Sequence, residues 1–317
     1  MAQTNDAHPA PAGRAAHEIT VEAPARDVYR LLADLANWPW LFRPFVHAEA
    51  IGRHDGHERV AMWTTTGDRV ERWVALRRLD EAGLRIDFRP EAPAAPLASM
   101  DRSWVVVPLT DRTCTVRLLH AFTLTDGGPA EVEATGRIID TVADAETAAV
   151  KGAAELLAHR PGLLVEVTDT VEMTAAPAAV YEALYEVGKW PGFLPHVVRA
   201  EILQDADDLQ LVEVHTAERN GTTLAMRTAR AGLPDRAIAY KQLVLPPIGA
   251  SHTVVWQLEP APSGTTVTSR QTVVLRPDGI AALLGDGKGE ADAAAFVRTE
   301  LSAKVRLVLD GVRTLTS

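Results

Sequence analysis

The chain has 317 residues, 47% of them hydrophobic and 23% charged, a composition that fits folded globular domains and excludes a disordered or fibrous protein. That length suits two domains of roughly 100–200 residues better than one. A net charge of -10 argues against a general phosphate-backbone binder, so nucleic acid is not an expected partner. No apolar run approaches the roughly 20 residues a bilayer helix needs, and no membrane partner is expected either. Met1 to Arg14 offers no basic stretch followed by an apolar core, so the expected location is the cytoplasm. The single cysteine, Cys114, allows no internal disulfide, and no Cys or His cluster has metal-ligand spacing, so no metal site is expected.

In chain order, residues 1–16 read as a disordered tail. Glu18 to Glu22 alternates as a short strand. The Pro-bearing turn Ala23-Pro24-Ala25 suits a helix start, and Val28, Leu31, Leu32 and Leu35 then share one helical face. Trp38-Pro39 is expected to break that helix. Six segments of strand length and period 2 run from about Val46 to Leu124, separated by turn signals such as Asp55-Gly56, Gly67-Asp68 and Thr110-Asp111. A helix over Val142 to His159 closes the series, with Ala145, Ala149 and Leu156 on a stripe.

The same grammar then begins again. Val28-Tyr29 recurs as Val180-Tyr181, Trp38-Pro39 as Trp190-Pro191, Ala48-Glu49 as Ala200-Glu201 and Trp104 as Trp256, all at an offset of 152 residues. Ala23-Pro24-Ala25 answers Ala176-Pro177-Ala178, with the offset slipping by one. The second copy has a strand at Val165 to Met173, further strands from Val197 to Leu275, and a closing helix over Glu290 to Leu315 bearing Phe296, Val297, Leu301, Val305 and Leu309. The chain therefore reads as a tandem duplication, with domains at 17–160 and 161–317 meeting near Arg160-Pro161-Gly162. Each copy is α+β, an antiparallel sheet wrapped around one long helix with space between them.

The strand from Arg72 to Arg78 puts Trp73, Ala75 and Arg77 on one face and Arg72, Val74, Leu76 and Arg78 on the other. The second copy places Met226, Thr228 and Arg230 at the same positions. A strand arginine is ordinarily a solvated surface residue; its independent occurrence in both copies favours an inward one. His120 shares a face with Val116, Leu118, Phe122 and Leu124, and reads either as a proton carrier or as a core histidine bonded to backbone. Trp38 and Trp190, at helix ends before proline, read as structural. There is no Gly-rich phosphate loop, no Gly-x-Ser-x-Gly elbow and no His-Glu-x-x-His. Gly285 to Gly289 follows no strand in a βαβ unit and reads as a lead into the last helix. No cofactor is expected.

The order strand, helix, Trp-Pro, six strands and long helix, with the arginine strand in the middle, resembles the aromatase/cyclases of bacterial aromatic polyketide synthesis in their two-domain form. These belong to the helix-grip (START-like) superfamily, and the resemblance covers residues 17–315. The family's Trp-x-Ser-x-Arg strand corresponds to Trp73, Ala75 and Arg77, where the serine is absent, and to Met226, Thr228 and Arg230, where the tryptophan is lost. Its tryptophan on the next-to-last strand matches Trp104 and Trp256, and its polar last-strand residue matches His120 and Gln271.

The resemblance implies cofactor-independent cyclisation and dehydrative aromatisation of the first ring of a carrier-protein-bound, ketoreduced poly-β-ketone. The ring would close between the seventh and twelfth backbone carbons, and the expected partners are an acyl carrier protein and other polyketide synthase components. Arg77 and Arg230 would polarise a ketone and stabilise the enolate formed from it, since arginine cannot act as a base. His120 would move protons, and Trp73, Trp104 and Trp63 would wall a slot for a flat, partly cyclised chain. The asymmetry of the copies suggests that the first matters more for cyclisation and the second for dehydration or product holding. A different class of function, a non-catalytic tandem START-like carrier of a hydrophobic ligand, predicts a purely apolar pocket instead. A co-chaperone or ubiquinone-chaperone role has only fold analogy behind it.

Overall fold

The computed structural model describes residues 12–217 and 221–316. The first half runs β1 (Ala12–Val21), α1 (Ala25–Ala33), a 3-10 turn (Leu35–Asn37), α2 (Trp38–Leu41), β2 (Phe45–His54), β3 (His57–Thr66), β4 (Arg69–Asp80), β5 (Arg85–Pro90), β6 (Leu97–Pro108), β7 (Cys114–Leu124) and α3 (Pro129–His159). Its seven strands form one antiparallel sheet ordered β1-β7-β6-β5-β4-β3-β2. Consecutive strands pair as hairpins, while α1 and α2 separate β1 from β2 and let β1 lie beside β7.

The second half repeats this as β8 (Leu164–Met173), α4 (Pro177–Tyr185), a 3-10 segment (Val187–Gly192), β9 (Val197–Ala206), β10 (Leu209–Ala217), β11 (Thr223–Leu233), β12 (Ala237–Gln242), β13 (Gly249–Ala261), β14 (Gly264–Leu275), α5 (Ile280–Leu284) and α6 (Glu290–Thr316). Its sheet order is β8-β14-β13-β12-β11-β10-β9. In its core, Val305, Leu309 and Val312 of α6 pack with Val180 and Leu184 of α4 and with Trp256 and Val267 of the sheet. The tandem cup expected from the duplication is present in both halves.

By contact the chain divides into two compact units. One runs to Asn37 and takes in Glu49–Met62 and Trp73–His159; the other holds Trp38–Ala48, Trp63–Arg72 and the chain from Arg160 onward. Secondary structure thus repeats across residue 160, while the compact units interleave before it. Among the described residues no helix is long and apolar enough to cross a membrane.

Three local expectations are corrected. Residues 12–16, read as tail, belong to β1 and pair with β7, Ala12 opposite Thr123 and Ala16 opposite Leu119; residues 1–11 lie outside the described residues. Trp38-Pro39 does not break a helix but opens one. The break comes earlier, at Asp34, and a proline in a first turn removes no needed donor. Finally, α3 begins at Pro129, and its buried residues are Ile139, Ala143, Thr147, Val150 and Ala154 rather than Ala145, Ala149 and Leu156. Small residues occur all round this helix, so apolar spacing does not single out a face. Its start is fixed instead by Glu131, whose carboxylate accepts from the Gly128 amide at 2.8 Å.

Candidate functional site

α4 ends at Tyr185, and the last carbonyls of a helix have no intrahelical partner. Arg230, on β11, supplies one: Nη2 donates to Leu184 O at 2.7 Å and Nη1 to Tyr185 O at 3.2 Å. Nη1 also donates to Gln210 Oε1 at 3.1 Å, Gln210 lying directly opposite on β10. The guanidinium carbon sits 5.7 Å from the Tyr185 ring centroid and 5.5 Å from that of Trp190, within reach of both aromatic faces. Arg230 is 2% exposed, and among the described residues no carboxylate lies within ion-pair distance of it. Burial lowers its pKa to about 10, which leaves it charged at neutral pH.

Arg230 lines a cavity of about 610 Å³ in the second half, a size suited to a small organic ligand. Met226, Thr228, Trp256 and Gln271, all singled out from sequence, line it with Arg230. α6 contributes Phe296, Leu301, Val305 and Val308, and Trp190 and His196 complete other parts of the wall. Trp190, read as structural, is therefore also a cavity residue, stacked on Trp256 at 6.5 Å.

Two buried donors of this wall lack a partner among the described residues. Trp256 Nε1 and Gln271 Nε2 make no hydrogen bond among the described residues, although the two residues are only 2% and 4% exposed. Arg230 uses three of its five N–H bonds. Tyr240 also lines the cavity, and burial raises its pKa to about 12, so its hydroxyl keeps its proton. Such a wall is complementary to a ligand rich in carbonyl oxygens and poor in N–H and O–H groups.

Sequence reasoning missed His252, which lines the same cavity. Its Nε2 is 2.9 Å from Gln271 Oε1 and its Nδ1 is 2.8 Å from the Gln242 amide oxygen. Burial lowers its pKa, the Gln271 hydrogen bond opposes this, and the Lys304 charge adds to the lowering. The ring is therefore neutral at pH 7 and carries a single N–H, so only one of its nitrogens donates to these amides and the other holds a lone pair. The signal was available in strand alternation, because His252, Val254 and Trp256 share one face of β13. The repeat concealed it, since the residue 152 positions earlier is Met100.

The first half treats its candidates differently. Arg77, 4% exposed, donates from Nη1 to Ala33 O at 2.7 Å, capping α1 as Arg230 caps α4. Its Nε and Nη2 both donate to Glu58 Oε2, at 3.0 and 2.7 Å, so its charge is neutralised. His120 is 6% exposed, stands edge-on to His17 at 6.3 Å and lies across from Arg102, which is ion-paired with Glu146. Burial first, then the Arg102 and His17 charges, push its pKa down to about 3. It is therefore held neutral near pH 7, which makes it a weak proton acceptor.

Trp73 meets Phe88 edge-on at 5.9 Å, and Trp104 is buried. The Arg72 guanidinium lies 5.4 Å over the Trp63 ring, and alternation in β4 puts Arg72 opposite Trp73. A cavity of about 510 Å³ in this half is lined by Leu76, Arg89 and Met100 among others, but not by Arg77, His120 or the tryptophans.

The depressed His120 value has a consequence for stability. The unfolded chain takes up this proton from about pH 6.5 downward and the folded chain only near 3, so the contribution is full above that window and is lost as pH falls through it. The loss reaches about 2.5 kcal/mol at about pH 4.5. His120→Gln, which installs the second half's residue, should flatten the acid limb of stability in denaturant titrations by that amount. An unchanged limb would count against a neutral, desolvated His120.

Two family models match the chain, both described as polyketide cyclase / dehydrase and lipid transport, over residues 12–155 and 173–293. The chain is 36% identical over 247 residues to a granaticin polyketide synthase bifunctional cyclase/dehydratase of Streptomyces virginiae, covering 76% of this chain and 79% of that protein. It is 32% identical to an actinorhodin polyketide synthase bifunctional cyclase/dehydratase of Streptomyces coelicolor, covering 93% and 94%. Among solved structures, the di-domain ARO/CYC BexL from the BE-7585A biosynthetic pathway superposes with a TM-score of 0.91 at 36% identity, over 96% of this chain and 99% of that one.

Proposed function

The chain belongs to the polyketide cyclase/dehydratase family and is an enzyme of aromatic polyketide biosynthesis; from this premise we propose that its second half both closes and dehydrates the first ring of a poly-β-ketone. The observation that carries the reading is Arg230, a buried charge with no carboxylate partner among the described residues, in a cavity that also holds two buried donors without partners, Trp256 Nε1 and Gln271 Nε2. A purely apolar ligand would leave Trp256 Nε1–H and the Gln271 amide N–H without partners, which disfavours the carrier reading.

In the proposed sequence, Gln271 turns away from His252 Nε2 as substrate enters, Nδ1–H stays on Gln242, and Nε2 removes a proton from a methylene between two carbonyls, the electron pair of the broken C–H bond becoming an enolate. Arg230 and Trp256 Nε1–H donate to the enolate oxygen as charge gathers there. The enolate carbon then bonds to a second ketone carbon, and the imidazolium returns its proton to the resulting alkoxide. For each water lost, His252 takes a neighbouring C–H proton and delivers it to the departing hydroxyl. The weakness of His252 as a base is tolerable, because a methylene flanked by two carbonyls is itself acidic. Arg77, already neutralised by Glu58, has no part in these steps, which revises the expected division of labour between the halves. The substrate would arrive as the thioester of an acyl carrier protein, ketoreduced at one position, alongside other synthase components in the cytoplasm.

Reconstitution with a minimal polyketide synthase, its carrier protein and a ketoreductase tests the reading. Addition of this protein should replace spontaneously cyclised shunt products with one aromatic first-ring product. An unaltered product profile would remove the catalytic reading in favour of a carrier.

A pH dependence follows from the lowered His252 pKa. Ring formation should rise with pH through an apparent pKa below 6.5 and stay flat through neutrality, since the base acts unprotonated. His252→Gln should remove the acid limb and slow the reaction on the order of 10²-fold. An acid limb that survives the substitution would assign the base elsewhere.

A further inference from the structure

The arginines of the two halves have partners of different charge. Glu58 on β3 accepts from Arg77, and Gln210 on β10 accepts from Arg230. These two partners are 152 residues apart, the spacing of the repeat. Glutamate and glutamine are nearly equal in size and reach, so the substitution changes one unit of charge and little else. The helix cap is kept in both halves, through Ala33 O and Leu184 O, each at 2.7 Å. Capping therefore does not require an unneutralised arginine, because Arg77 caps while paired with a carboxylate.

Leaving a buried guanidinium without a carboxylate is unfavourable. In the second half two carbonyls, one amide oxygen and two aromatic faces bear it. Gln210 is 1% exposed, so water does not screen what it contributes.

We infer that Gln210 is a positioning residue that holds Arg230 in place while withholding the negative charge, so that the full positive field of the guanidinium reaches an anion forming in the cavity. A glutamate there would sit about 3 Å from the guanidinium, as Glu58 does, and would cancel the field where an enolate oxygen needs it. The inference rests on the reading that Arg230 stabilises an enolate, and it adds the residue that decides which arginine is able to.

The test compares the wild-type chain with Gln210→Glu and Gln210→Met, using 2-naphthol as an uncharged probe that ionises to an enolate-like oxyanion. Glu300 and Lys304, the charged α6 residues of the cavity wall, are unchanged in all three proteins. In the wild type, the absorbance titration of bound naphthol should shift down by about one unit or more, as for an acid beside a cation. Gln210→Met, having no charge and leaving Arg230 anchored on Leu184 O and Tyr185 O, should keep most of the shift, and Gln210→Glu should abolish it. In the reconstituted reaction, Gln210→Glu should lower kcat about 10²-fold with KM changed only a few-fold, the mark of an interaction made in the transition state. Its thermal midpoint should be unchanged or higher, which excludes misfolding as the cause.

A Gln210→Glu protein with wild-type naphthol shift and kcat would overturn the inference while leaving the role of Arg230 standing. No shift in the wild type would overturn both. A shift present in the wild type and lost in Gln210→Glu, together with no ring formation by any of the proteins, would support the charge inference and defeat the proposed reaction.

Discussion

Replacing Arg230 by alanine is expected to slow ring formation by about 10²–10³-fold, the usual effect of removing one preorganised oxyanion donor, or about 2.7–4 kcal/mol in the barrier. The same substitution strips the cap from α4, so part of any loss could come from local unfolding. Arg230→Lys separates the two effects. A lysine keeps the charge and can reach one carbonyl, but it lacks the planar fork that bonds Leu184 O, Tyr185 O and Gln210 together. It should melt closer to wild type than the alanine variant and recover only part of the rate. Product formation by quenched-flow or endpoint chromatography, read beside thermal melts, checks both numbers. Wild-type turnover in a folded Arg230→Ala protein would remove this residue from the chemistry.

The largest effect on stability is expected in the first half. Glu58→Ala should leave the Arg77 guanidinium, 4% exposed, without its counter-charge and cost about 3 kcal/mol, the low end of the range for breaking a buried ion pair. The low end applies because the Glu58 side chain retains 24% exposure, so water recovers part of the loss. Urea unfolding should show a lower midpoint at pH 7, with ring formation by the remaining folded protein close to wild type. If Glu58→Ala instead abolished turnover in folded protein, the first half would hold part of the active site.

The fold was legible because two independent signals agreed. The 152-residue repeat fixed the architecture as double, and period-2 alternation placed six strands after the first helix of each copy. The recurrence of an arginine on the same strand of both copies favoured inward Arg77 and Arg230, and all five second-half residues chosen from the sequence line one cavity. What could not be read were the partners of those side chains. Arg102 and Glu146 are 44 positions apart and on different elements, and nothing local in the sequence announces their pairing or what it does to His120. Glu58, 19 residues from Arg77, looked like an ordinary surface strand residue. His252 was hidden by comparing the copies, which finds what they share and passes over what only one contains. The start of α3 was missed for a different reason: Gly127-Gly128-Pro129 reads as loop, and the Glu131 carboxylate that caps the helix is recognised only once the turn is known.

Both arginines close the open end of a helix, and that service has nothing to do with ring formation. A copy that gave up its chemistry would still lose a helix cap if the arginine were exchanged, so the residue can outlast the reaction it once served. On the role proposed for Gln210, the arginine alone does not mark a working site, and the side chain facing it from the adjacent strand does. Any attempt to harden this protein by completing buried ion pairs would choose Gln210→Glu first, copying an arrangement the chain already contains, and on the role proposed for Gln210 would yield a molecule at least as durable and about 10²-fold slower.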